Sequence, residues 1–171
     1  MIVEHEDVEF CKWVADERNR CHLEANNERI SVRDSDTDIH FEGVVAELAW
    51  RRDMQIPEQQ PWVYEDRDPG FDFTWAGLTV DVKASKPHAE RMMIPAYKVL
   101  SAQLYVMSTV REVARDVFPV KPVGGISRKR FKQIHEVGRE FPPFRIPTRW
   151  VLLETLTPIE QMQDWGKHEQ A

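Results

Sequence analysis

Apolar positions along this chain repeat with two different periods, and each period marks a different kind of element. Over residues 4 to 26, Phe10, Trp13, Val14, Glu17 and Cys21 fall along one side of a helix whose acidic first turn suits the positive end of its dipole. The polar stretch 31 to 38 offers Ser35, Asp36 and Thr37 as N-caps for a second helix. That helix, over about 38 to 54, places Phe41, Val44, Val45, Leu48 and Ala49 on its apolar side. Glu47 lies at the edge of the stripe, with Arg51 and Arg52 behind it. Gly43 in its interior costs roughly 1 kcal/mol relative to alanine, which hints that a backbone or ligand approaches there.

After a loop over 55 to 69 carrying Pro57, Pro61 and Pro69, the period changes to two. Phe71-Asp72-Phe73-Thr74-Trp75 and Leu78-Thr79-Val80-Asp81-Val82-Lys83 alternate on either side of Ala76-Gly77, a two-residue loop of the kind that closes a hairpin. Further strands are predicted over Leu104 to Val110, Asp116 to Ile126 and Trp150 to Thr155. Ser127 caps a helix predicted to run through Phe131 and Ile134 to Val137, with Gly138 as its stop. Thr157-Pro158-Ile159-Glu160 opens a closing helix with a capping box and proline in the first turn. The order predicts an α/β fold, a central mixed β-sheet flanked by helices. We expect a single domain over 1-171, with a packing helix in 1-30, a core in 38-155 and a C-terminal helix in 157-171.

Composition narrows the classes. The 171 residues suffice for one domain with a sizeable core. No apolar run reaches the ~20 residues that span a bilayer, and the start lacks the basic-then-apolar order of a signal peptide. A cytoplasmic location without a membrane partner is the expectation. Cys11 and Cys21 fall on different helix faces and suggest neither a disulfide nor a zinc site, and none of the six histidines has metal-ligand spacing. A net charge of -6 argues against coating nucleic acid by bulk electrostatics, so any phosphate contact must be local.

The hairpin carries the chemistry. If Trp75 pairs with Leu78, then Phe73 faces Val80 and Asp72 lies opposite Asp81, with Lys83 on the same face. Phe71, Phe73, Trp75, Val80, Val82 and Ala84 form the other, core-facing side. Opposed carboxylates with Cβ atoms only about 4.5 to 5.5 Å apart destabilise a strand pair unless something compensates. A divalent cation would, and oxygen donors suit magnesium, manganese or calcium better than zinc.

An Asp on one strand, Asp-x-Lys on the next and a Glu on the preceding helix together resemble the PD-(D/E)xK nuclease superfamily. Glu47, Asp72, Asp81 and Lys83 carry the resemblance, with Phe71 rather than proline before the first Asp. It extends from the helix at Ile39 to Met54 as far as the strand at Leu104 to Val110. It implies a restriction-endonuclease-like core and a DNA-cleaving hydrolase. Asp72, Asp81 and the Val82 carbonyl would hold magnesium, with manganese as a substitute and Glu47 as a direct or water-mediated ligand. Lys83 would act on the attacking water and the phosphate. DNA is the expected partner, with RNA and a homodimer left open.

Two basic segments offer phosphate contacts. Ser85 and Lys86 follow Lys83 directly, and Arg128, Lys129 and Arg130 occupy the first turn of a helix, the wrong sign for its dipole but suited to an anion. A solvated surface accounts for either segment equally well. A nucleic-acid-binding or assembly module that keeps the fold without cleaving is the alternative, and a half-exposed sheet with no metal is another.

Overall fold

Two helices, α1 over Glu6–Glu24 and α2 over Asp36–Asp53, pack against one face of a five-stranded sheet. A computed structural model of the chain describes residues 1–24, 36–64, 69–138 and 147–162. The sheet takes the order β1-β6-β5-β3-β2, with β1 at Ile2–Glu4, β2 at Phe73–Trp75, β3 at Leu78–Ser85, β5 at Leu104–Val110 and β6 at Val117–Ser127. It is mixed: β3 and β5 run parallel, and every other pair is antiparallel. A smaller antiparallel sheet contains β4 at Arg91–Pro95, β7 at Glu136–Gly138 and β8 at Thr148–Leu152 in the order β4-β8-β7.

Alternation along the strands builds two cores. Val80, Val82, Leu104 and Val106 point to the helices and join Val8, Cys11, Val14, Val44, Leu48 and Trp50. Tyr105 and Met107 point the other way, where Met92, Ile94 and Val151 of the smaller sheet meet Phe131 of α3, Arg128–Ile134. The fold is α/β with a mixed sheet as expected, and the two long helices lie on one face of it. The second layer is sheet and a short helix, because the chain between β3 and β5 forms β4.

The hairpin forms with the expected register, Trp75 with Leu78, Thr74 with Thr79 and Phe73 with Val80. Ala76 at φ 48 and Gly77 at φ 82 are both left-handed, which is what a two-residue turn matched to strand twist requires. The strand at Leu104–Val110 and the Ser127 cap also form: the Ser127 side chain accepts from the Arg130 N–H. The helix it opens stops at Ile134, three residues short of the expected Val137, because His135 is extended and Glu136–Gly138 pairs with β8 instead. The last predicted strand ends at Leu152 and tightens into a 3-10 turn over Leu153–Thr155. The closing helix α4 is described over Ile159–Met162, and the rest of its expected span lies outside the described residues. Nothing stands within 4 Å of a side chain built at Gly43, so that glycine answers no close approach. Among the described residues no helix is long and apolar enough to cross a membrane.

Candidate active site

The polar cluster begins just before β2 starts. Phe73 is the first residue of β2 in register, and the Asp72 N–H before it donates to Val80 O at 2.8 Å, the carbonyl of Phe73's own partner. The chain therefore bends out of the ladder at Asp72, in the manner of a bulge. Phe71, assigned by alternation to the helix-side core, packs instead with the opposite one. Asp72 does not stand face to face with Asp81 as a regular pair. Its carboxylate turns along the strand, and Oδ2 accepts from the Val82 N–H at 2.6 Å. A strand residue's N–H and C=O leave on the same edge, so the Val82 carbonyl also faces the gap that β2 leaves open.

Asp81 and Lys83 share the sheet face away from the helices, and Lys83 Nζ lies 2.5 Å from Asp81 Oδ2. Asp81 pairs in register with buried Tyr105 of β5. Burial pushes the Asp81 carboxyl up; Lys83 and Lys98 hold it down, and the nearby Asp72 charge pushes it up further. The expected trio Asp72, Asp81 and Lys83 does come together, with ion pairing in place of the bare repulsion that the opposed carboxylates had implied.

Glu47 sits elsewhere. It is 1 % exposed and lies in the middle of α2's buried stripe rather than at its edge, on the helix side of the sheet. Arg51, one turn on, donates Nε to Glu47 Oε1 at 2.8 Å, and Arg18 of α1 reaches Oε2 at 2.7 Å. Both arginines are themselves fixed by the loop after α2. Arg18 Nε donates to Trp62 O at 2.8 Å, and Arg51 donates to the Pro61 and Asp72 carbonyls while lying 4.0 Å over the Trp62 ring. Burial pushes the Glu47 carboxyl up to about 7, with Asp72 adding to the shift and both arginines opposing it. The carboxyl titrates near neutrality, ionised and arginine-paired above that point.

Glu47 is thus assigned away from the metal by its neighbours. Both of its oxygens already face guanidinium groups, and among the described residues no set of three His, Cys, Asp or Glu side chains is arranged to hold a metal. The donor chemistry of Asp72, Asp81 and the Val82 carbonyl does fit a hard cation such as magnesium, since it consists of two carboxylates and a backbone oxygen. Asp68, an acid just before the hairpin whose position in the strand alternation would extend the same polar face, lies outside the described residues.

The basic segments divide. Arg128 does not reach outward: its guanidinium donates to the Leu100 and Ser101 carbonyls at 3.3 and 3.0 Å, and its N–H donates to Gln103 O. With the Arg130 N–H also taken by Ser127, two of the donors that a phosphate would have used at this helix start are occupied. Lys129 and Arg130 remain exposed. Lys86 pairs with Glu42 of α2, and Ser85 closes β3 opposite Thr109.

Arg18, Arg51 and Lys98 were not identified from the sequence as parts of this cluster. A signal for the first two was present. Arg18 continues the run Val8, Cys11, Ala15 at spacings of three and four, and Arg51 continues Val44, Glu47 or Leu48 in the same way, so each is a cation on a buried stripe. Comparison with known proteins returns no family model, no curated protein and no solved structure that matches this chain.

Proposed function

We propose that this chain is a magnesium-dependent nuclease that hydrolyses phosphodiester bonds in DNA from a restriction-endonuclease-like core. The observation that carries the reading is the meeting of Asp72, Asp81 and Lys83 at the open edge of β3, beside the Val82 carbonyl. The succession of α2, the β2–β3 hairpin and the parallel strand β5 is also the order on which the sequence resemblance rests.

In this reading Asp72, Asp81 and the Val82 carbonyl hold the ion, and manganese can replace it. Bound there, magnesium supplies Lewis acidity to the phosphoryl group. Asp72 is oriented for the task by the Val82 N–H, which fixes one oxygen and leaves its direction set by the backbone. Lys83 holds its ammonium beside Asp81, two residues on along the same face, where it orients the attacking water and offsets charge developing on phosphate. Glu47 takes no part as a ligand; with Arg18 and Arg51 it fixes the loop behind the site. Exposed Lys129 and Arg130 contribute phosphate contacts at a distance from the cluster, while Ser85 and Lys86 line the end of β3.

The test is cleavage of circular, linear, branched and single-stranded DNA in magnesium and in chelator, by the parent and by Lys83→Ala. Cleavage by the parent in magnesium only, lost in Lys83→Ala, is the expected result. A folded parent that binds DNA and leaves it intact in magnesium would favour a non-cleaving binding or assembly module. One observation speaks for that second reading: Glu47, Asp72 and Asp81 each already lie beside a cation of the chain itself.

A further inference from the structure

Arg18 is the residue of α1 that reaches the site. Its Nη2 lies 2.7 Å from Glu47 Oε2 and its Nη1 lies 3.9 Å from Asp72 Oδ1, so the guanidinium stands in the gap between the two carboxylates. The Trp62 carbonyl, accepting from Nε, holds it there, and its side chain is only 21 % exposed. Among the described residues, Asp72 is the carboxylate that borders both groups: its charge acts on Glu47 and on Asp81. Without a cation in the gap, Glu47, Asp72 and Asp81 would form a continuous row of carboxyl oxygens, and a divalent ion could displace the Glu47 proton and be drawn towards it.

We infer that Arg18 is a positioning residue that restricts the divalent cation to the Asp72–Asp81 pair, by occupying with its own charge the place between Glu47 and Asp72. The inference rests on the metal reading of the preceding subsection. Arg51 cannot substitute, since its contact with Asp72 is to the backbone carbonyl and not to the carboxylate. Removal of Arg18 has two effects in the same direction. A unit positive charge disappears from beside a ligand oxygen, and Glu47 loses one of its two partners and becomes available to the ion.

The experiment is calorimetric titration of the full chain with magnesium, without DNA, on the parent, Arg18→Gln, Glu47→Gln and the double variant. Arg18→Gln should bind magnesium about tenfold more tightly or better, a gain that loss of a like charge roughly 4 Å from a ligand oxygen gives a divalent ion even with the screening of bulk water. Glu47→Gln alone should leave the affinity near that of the parent, and adding it to Arg18→Gln should reverse much of the gain. Equal affinity in parent and Arg18→Gln overturns the inference while leaving the metal site standing. No magnesium binding by any of the four overturns the metal reading together with it. Should Arg18→Gln not fold, side-chain NMR of the parent decides: on magnesium addition the Arg18 guanidinium signals should move and those of Arg52, paired with Asp7, should not. Arg18 signals that stay in place at saturating metal overturn the inference.

Discussion

Glu47 and Lys83 are both charged groups inside the fold, but opposite forces govern them. For Glu47, burial outweighs two arginines, so its folded pKa of about 7 exceeds the ordinary 4.5. A carboxyl whose pKa is raised by folding binds its proton more tightly in the native state. The stability it contributes is fully present below about 4.5 and is lost as pH rises through about 7. In chelator the parent should therefore lose stability across that window at up to about 1 kcal/mol per pH unit, and Glu47→Gln should flatten the slope. Denaturant titrations at three pH values measure it, and identical slopes in both proteins would contradict the assignment. Lys83 lies at 2.5 Å from Asp81 and acts at the reacting end. Lys83→Ala should lose cleavage while binding magnesium at least as tightly as the parent, because Asp81 is freed from a competing cation. A parallel loss of both, with the fold intact, would remove the role given to Lys83.

Among the elements, α3 shows where a local pattern misleads, and β6 shows where close packing of backbone requires a glycine. The triplet Arg128, Lys129, Arg130 is basic at a helix start, which by itself points to an anion. Arg128 instead ties down the loop before β5 through the Leu100 and Ser101 carbonyls, contacts more than twenty-five residues away in sequence that no local pattern could reveal. Arg128→Ala should therefore destabilise by about 1 to 3 kcal/mol with DNA binding at matched folded concentration unchanged. Replacing Lys129 and Arg130 with alanine should leave stability unchanged and reduce the salt slope of DNA binding by about 0.9 for each lost phosphate contact. A slope that does not change would return both residues to the solvated surface. Gly124, at φ 156, would place a Cβ 2.3 Å from the Thr157 carbonyl, so Gly124→Ala should cost about 2 kcal/mol or more in thermal or denaturant unfolding.

Across the whole molecule, the features legible in the sequence are those set by short spacings. The two helices, the Ala76-Gly77 turn, its register and the strand at Leu104–Val110 follow from period and turn chemistry, and with them the closeness of Asp72, Asp81 and Lys83. The bend at Asp72 was not legible, because alternation predicts a regular ladder until another interaction, here the Val82 N–H and the Arg51 guanidinium, captures the residue. Nor was the neutralisation of Glu47, which requires α1 to lie against α2 before Arg18 can reach it. The smaller sheet was not legible because β4 finds β8 only across the length of β5, β6 and α3, and β7 is a three-residue strand that follows directly on α3. The central claim is that the Asp72–Asp81 edge of β3 is a divalent-metal site, and thermal melting of the parent and Asp81→Asn, each in chelator and in excess magnesium, tests it most directly. A ligand at one hundred times its Kd that binds only the folded state adds about 2.7 kcal/mol, so the parent should melt several degrees higher in magnesium and Asp81→Asn should lose most of that gain. A parent that melts at the same temperature in both conditions, or an equal magnesium shift in Asp81→Asn, would contradict it.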